Sequence, residues 1–407
     1  MHIRKVHARE ILDSRGNPTI EVDIFTENGA FGRAAAPSGA STGTHEACEL
    51  RDGGARYLGK GVLKAIENVN EKIGPVIAGM PLEPLADIDC QMIELDGTPD
   101  KCRLGGNAIV AVSMACARAA AASAGKPLWS HFGGTQLPKA MFNILNGGKH
   151  AGGKLSIQEF MIIPDAPSFS ERLRMASEIY HVLGKQLAKK YGASAKNVGD
   201  EGGFAPQLKS ASEALNAIEE AIDEAGYGKK VGLALDAAAS SFYDEKTGKY
   251  NLDGKDVRSE DLLEFYLALC KNFGLDSLED PFFEEDFASF ANLTKKVGKK
   301  VQIVGDDLLV TNPRRIRMAF ESNACNALLL KLNQIGTVSE AVAAANMCKR
   351  KHWGVIVSHR SGETEDTFIS DFAVGINAGQ IKTGAPARGE RTSKYNQLLR
   401  IEEELGE

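Results

Sequence analysis

The chain has 407 residues, of which 43% are hydrophobic and 25% charged, with a formal net charge of −6. That length exceeds one ordinary domain, so a large and a smaller domain are expected. The acidic balance excludes a nucleic-acid surface, which needs clustered Lys and Arg, and seven scattered cysteines without a Cys-x-x-Cys pair indicate neither a disulfide framework nor a zinc site, as in a reducing cytosol.

In chain order, the opening MHIRKVHAREILDSRG has no apolar secretory core, so no signal peptide is expected. HIRKVHAREIL, PTIEVDIFT and AFGRAAA read as strands separated by the turn signals DSRGN and ENG. Apolar residues then recur at helical spacing through Leu63, Ile66, Val69 and Ile73. The segment 108–125 is alanine-rich and interrupted by Arg118, which suits a packed helix rather than a membrane span. GKPLWSHFGGTQLP follows, rich in Gly and Pro. The expected division is an N-terminal α+β domain over 1–125, a linker over 126–138 and a larger C-terminal domain over 139–407.

The second block carries eight short apolar runs: MFNIL, SIQEFMIIP, VGLALDAA, GLDSLEDP, VQIVGDD, ALLLKLN, GVIVSHR and GQIKTGA. From the third run onward they alternate with amphipathic segments, such as the one holding Leu262, Phe265, Tyr266 and Leu269. Two helical segments, around 170–191 and 210–226, separate the second and third runs. Only NGGKHAGGK separates the first and second, too little for a crossover, so that pair should be antiparallel. The order strand, strand, helix, helix, then six strand–helix units predicts a ββαα(βα)6 variant of the (β/α)8 barrel. YDEKTGKYNLDG reads as an inserted hairpin.

Asp236, Glu279, Asp306, Lys331, His359 and Lys382 each fall late in a predicted strand or just past it. In a barrel they converge on the C-terminal mouth, where active sites of this fold are built. A lone lysine beside an apolar run ordinarily snorkels to solvent; six polar residues at consecutive strand ends need a common explanation. Asp236, Glu279 and Asp306 are oxygen donors with no His or Cys among them, the preference of Mg²⁺. Beside a cation, a lysine is expected to lose affinity for its proton and serve as a general base.

GARYLGKG fits G-x-x-x-x-G-K, but Gly61 replaces the required Ser or Thr and no apolar strand precedes it, which rejects a phosphate loop. APSGASTGTHE has the small residues of a loop that could close over a ligand. In SHRSGETED, Arg360 and Ser361 stand at a strand-to-helix junction suited to a phosphate.

SGASTGTHEACELRDGG, NGGKHAGG, IQEFMIIP, VGDEGGFAP, LEDPF, GDDLLVTNP, LLLKLNQIGT, VSHRSGETED and IKTGAPARGER closely resemble the enolase family over essentially the whole chain. The resemblance implies reversible, Mg²⁺-dependent dehydration of 2-phospho-D-glycerate to phosphoenolpyruvate by a cytoplasmic, homodimeric or higher homo-oligomeric enzyme. It implies Asp236, Glu279 and Asp306 as ligands of a first Mg²⁺, and Ser41 as ligand of a second that arrives with substrate. Lys331 would be the base at C2 and Glu201 the acid at the C3 hydroxyl, its proton favoured by the like charge of Glu159. Lys382 would contact the substrate carboxylate and Arg360 and Ser361 the phosphate, with His150, Gln158, Glu159 and His359 lining the substrate. Ser241 stands where many relatives carry Glu. Leu309, Leu332 and Gly389 also depart from the usual pattern, and none of the four removes a ligand or the acid–base pair. A related acid-sugar dehydratase and a non-catalytic scaffold are the rival readings; the phosphate-suited SHRSG weighs against the first, the intact acid, base and metal set against the second.

Overall fold

In PTIEVDIFT, Ile20, Val22 and Ile24 are wholly buried at alternate positions, the pattern of a strand with one face on a core. The computed structural model, which describes residues 1–40, 43–151 and 155–406 except for the side chains of Lys149 and His150, places this segment at the centre of an antiparallel sheet. Its strands are β1 (Ile3–Leu12), β2 (Pro18–Thr26) and β3 (Phe31–Ala35), in that order. On the other face Asp23 sits between Arg9 and Arg33, whose Nε is 2.7 Å from it. The helix Gly106–Ser123 packs across β2 and β3. Its alanines allow a close approach: a side chain at Gly32 would overlap the Ala115 carbonyl. This helix is long and apolar enough to cross a membrane by length and composition, but most of it is buried inside the protein. Residues Leu63–Ile77 are helical as the spacing predicts, with a π-helical middle.

The segment read as a linker contains a short helix, Leu128–Phe132, whose Phe132 packs edge-on against Phe368 and Phe372 of the barrel layer. The cysteines differ from the expectation of a chain without disulfides. Cys48 and Cys102 form a disulfide, 54 positions apart in sequence, while Cys90, Cys116, Cys270, Cys325 and Cys348 are free thiols.

All eight predicted barrel strands are present: β4 (Lys139–Asn146), β5 (Glu159–Pro164), β6 (Val231–Asp236), then β10 (Ser277–Glu279), β11 (Gln302–Gly305), β12 (Ala327–Leu330), β13 (Gly354–Ser358) and β14 (Gly379–Lys382). The predicted hairpin is a small sheet of β7 (Tyr243–Asp244), β8 (Lys249–Leu252) and β9 (Lys255–Val257). The barrel closes in the order β10-β11-β12-β13-β14-β4-β5-β6. β5 is antiparallel to both neighbours and every other pairing is parallel.

The uniformly apolar run Ala-Leu-Leu-Leu of β12 follows from burial on both faces. Leu328 and Leu330 join the layer between strands and helices, and Leu329 joins Met141, Met161, Ala234, Val304, Ala327 and Ile356 inside the barrel. Leu329→Ala would cost about 2–5 kcal/mol by loss of burial and the cavity left behind. The surrounding helices start where their caps dictate: Ser168, Ser210, Asp286, Asn312 and Thr337 each accept a hydrogen bond from a backbone N–H of the first turn. The N-terminal domain docks on the barrel through an Arg118–Asp366 ion pair at 2.7 Å and reciprocal Ser38–Gly362 backbone hydrogen bonds at 2.8 Å. That docking brings residues 38–40 and 43–46 to the C-terminal mouth.

Candidate active site

Asp236, Glu279 and Lys382 are the last residues of β6, β10 and β14, and Asp306, Lys331 and His359 immediately follow β11, β12 and β13. Because β5 runs against its neighbours, its first residue, Glu159, reaches the same mouth, in register with Asp236 and Asn146. A small, partly open pocket lies at the mouth. Ten of the expected residues line it: Gln158, Glu159, Glu201, Asp236, Asp306, Lys331, His359, Arg360, Ser361 and Lys382. Glu279 lies beneath them, fully buried against Lys382. Ser41 and the side chain of His150 fall outside the described residues.

Two ammonium groups neutralise the carboxylates. Lys382 Nζ stands 2.8 Å from Glu279 Oε1, 3.1 Å from Glu159 Oε2 and 3.3 Å from Asp236 Oδ2. Lys331 Nζ stands 2.5 Å from Asp306 Oδ2. Burial disfavours the charge of Lys382, but Glu159, Glu279 and Asp236 outweigh it and push its pKa well above the usual lysine value. Burial likewise opposes the charge of Lys331, and Asp306 reverses the balance upward. This differs from the lowered lysine expected from the sequence. In the chain's own field the carboxylates retain the lysine protons, whereas a divalent cation on the same oxygens would take over that neutralising role. Asp306 is held below its ordinary value against burial by Lys331 and then Lys382. Glu279 is pushed well up by burial and by Asp236.

The donor set fits a hard cation such as Mg²⁺. Asp236, Glu279 and Asp306 offer buried carboxylate oxygens, and Glu279 Oε2 has no hydrogen-bond partner among the described residues. Among the described residues, the groups whose candidate donor atoms all lie within 4.8 Å are different ones, Asp280–Asp306–Asp307 and Glu159–Glu201–His359. The expected trio is spread around the two lysines.

Glu201 enters the mouth on a loop that follows no predicted strand. Gly203 packs so closely that a side chain there would overlap Asn146 Oδ1, and Gly202 has φ +84°, a conformation glycine adopts without strain. Phe204 N–H bonds to the Ile144 carbonyl and Ala385 N–H to the Glu201 carbonyl, fastening the loop to the barrel. Asn143 Nδ2 donates to Glu201 Oε2 at 2.9 Å. Burial, then the neighbouring Glu201, pushes Glu159 well above the carboxylate range, against the pull of Lys382. His359 is held neutral, its pKa lowered to about 4 chiefly by burial. Since Arg391 can only donate to His359 Nδ1, at 2.7 Å, the ring proton lies on Nε2, 3.5 Å from Glu201 Oε2.

Opposite this acid cluster, Ser361 Oγ accepts from Ala40 N–H at 2.6 Å, and Arg360 faces Glu46, with NH1 at 2.8 Å and NH2 at 3.1 Å. Several contributors escape sequence reasoning. Arg391, wholly buried, donates to the carbonyls of Arg360 and Ser361 and so fixes the backbone of that turn. Asp307 lines the pocket. Asp280 accepts from the N–H groups of Asp306 and Asp307 and is held at φ +41°, a strained conformation that these bonds over-determine. The available signals were the doubled acids in LEDP and GDDLL.

Residues 3–132 match the family profile described as "Enolase, N-terminal domain", and residues 134–407 match "Enolase, C-terminal TIM barrel domain". The chain belongs to the enolase family. It is 59% identical to the enolase of Thermococcus gammatolerans, over 99% of this chain and 95% of that protein. It is 58% identical to the enolase of Methanocaldococcus jannaschii over 99% and 96%, and 54% identical to that of Mastigamoeba balamuthi over 99% and 96%. The family's metal dependence agrees with the buried carboxylates at the mouth.

Proposed function

We propose that this chain is a phosphopyruvate hydratase of glycolysis and gluconeogenesis, which interconverts 2-phospho-D-glycerate with phosphoenolpyruvate and water. One observation carries the reading: a lysine, an acid cluster and an arginine–serine pair converge on one small pocket in a chain that belongs to the enolase family along its whole length.

A proton beside a carboxylate is weakly acidic because its removal adds charge to an already anionic group. Asp236, Glu279 and Asp306 would hold one Mg²⁺, and Ser41 would contribute to a second that arrives with substrate. When bound, the ions supply positive charge at the substrate carboxylate and ease formation of the carbanion. Lys331 removes the proton at C2, and Lys382 contacts the carboxylate. Glu201 delivers a proton to the departing C3 hydroxyl, with Asn143 orienting its carboxyl. Glu159 and Glu201 repel each other in a buried site, which favours one proton on the pair. Arg360 and Ser361 grip the phosphate, and His150, Gln158, Glu159 and His359 line the remainder. A homodimeric or higher assembly and a cytoplasmic location belong to the same proposal. So does the division at 1–125, 126–138 and 139–407, supported by a helix ending at Ser123 and a strand starting at Lys139.

Growth of ultraviolet absorbance from the conjugated product tests the proposal. The unaltered protein should turn over 2-phosphoglycerate with Mg²⁺ and lose turnover with excess chelator. Silence with Mg²⁺ present, or equal turnover of non-phosphorylated acids, would overturn it.

A further inference from the structure

The hydrogen bonds around Arg360 lead back to the N-terminal domain. Glu46, whose side chain is 7% exposed, takes both ends of the guanidinium of Arg360, 2% exposed. Glu46 Oε1 also accepts from Gly43 N–H at 3.1 Å and from Gln334 Nε2 at 3.3 Å. Gln334 is 1% exposed, and the same Nε2 donates to Asp306 Oδ1 at 2.8 Å. The orientation of this amide follows from its other end. Thr311 Oγ accepts the Lys331 N–H at 3.0 Å and turns its hydroxyl proton to Gln334 Oε1, also at 3.0 Å. The two amide protons of Gln334 therefore meet two carboxylates, one at the expected metal position and one holding the arginine. The Gln334 carbonyl also accepts Ala47 N–H at 2.7 Å, tying the segment that carries Glu46 to the barrel.

We propose that Glu46 and Gln334 are positioning residues: Glu46 aims Arg360 at the substrate phosphate, and Gln334 registers that aim with Asp306 across the domain boundary. The inference rests on the phosphopyruvate hydratase reading and adds the device that sets its phosphate selectivity. Two effects oppose each other when Glu46 loses its charge. Removing an anion beside the phosphate position strengthens phosphate attraction, while removing the two-pronged anchor loosens the guanidinium, whose NH1 still donates to Asn333 Oδ1 at 3.0 Å. The second prevails for Glu46→Gln, because the new amide NH2 confronts a guanidinium N–H, donor against donor, and turns Arg360 away.

The test compares unaltered protein, Glu46→Gln and Gln334→Met in KM and kcat for 2-phosphoglycerate, competitive inhibition by inorganic phosphate, and thermal melting. Glu46→Gln should raise both KM and the phosphate inhibition constant about tenfold, the scale of one charge-assisted hydrogen bond, with kcat changed much less. Gln334→Met should move the same two constants in the same direction. Unchanged KM and phosphate inhibition in either folded variant would overturn the proposal. So would a loss of kcat that tracks a lost melting transition in both, since the pair would then serve folding rather than aim. An unaltered protein that fails to turn over 2-phosphoglycerate would instead overturn the reading beneath, and that is seen before any variant is made.

Discussion

Lys382→Met removes one ammonium from three buried carboxylates while keeping most of the side chain's volume. Lys382 Nζ lies between 2.8 and 3.3 Å from Glu279, Glu159 and Asp236, and the lysine side chain is 2% exposed. Breaking a buried ion pair by deleting one partner costs about 3–5 kcal/mol, because an uncompensated charge remains. With an unfolding entropy of roughly 2 cal/mol/K per residue, 407 residues unfolding together lose about 1 °C per kcal/mol. The chelator-treated variant should therefore melt about 4–6 °C lower at pH 8. The deficit should shrink toward pH 5, since Glu159 and Glu279, both pushed upward by burial, can take up protons once the ammonium is gone. Saturating Mg²⁺ should raise the variant's melting temperature more than that of the unaltered protein, because an ion held by the proposed ligands would compete with the ammonium for the same oxygens. Differential scanning fluorimetry with chelator and with Mg²⁺ measures both quantities. Equal melting temperatures in chelator, or equal shifts on adding Mg²⁺, would show that Lys382 does not neutralise these carboxylates.

Three further outcomes are expected. Asp371 is raised to about 6, chiefly by burial, so its folded form binds a proton more tightly than the unfolded chain, and stability is lost as pH rises from about 4 to 6. Asp371→Asn should then stabilise by up to about 3 kcal/mol at pH 7–8 and by nothing near pH 4, as urea titrations at both pH values would show. His359 lies at about 4, below its ordinary value, so its contribution is present above pH 6.5 and lost as pH falls toward 4. Nitrogen-15 NMR at pH 6 should show a neutral ring protonated on Nε2, and an imidazolium there would contradict the assignment. Denatured protein prepared without reductant should titrate five thiols, given the Cys48–Cys102 bond; seven would refute it.

The barrel was legible because burial on both faces leaves runs such as ALLLKLN, and a parallel barrel delivers the ends of such runs to one mouth. Asp236, Glu279, Asp306, Lys331, His359 and Lys382 could therefore be assembled from spacing alone. Glu201 could not, since its loop reaches the mouth through glycine-mediated packing on β4, and only the family resemblance pointed to it. The helix Leu128–Phe132 was hidden in a Gly- and Pro-rich stretch, and a single disulfide across 54 positions leaves no local pattern. Glu46 reaches Arg360 over 314 positions of sequence, a contact created by domain docking. The charge state of Lys331 also escaped, because it depends on which cation, ammonium or metal, neutralises Asp306.

In the proposed reaction, Lys331 and Glu201 divide the work between proton removal and hydroxyl departure. Proton NMR of 2-phosphoglycerate in deuterium oxide with Mg²⁺, run for Glu201→Gln and Lys331→Ala, tests it most directly. Glu201→Gln should still exchange the C2 proton for deuterium while making little phosphoenolpyruvate, and Lys331→Ala should do neither. Exchange retained in Lys331→Ala and lost in Glu201→Gln would contradict that division.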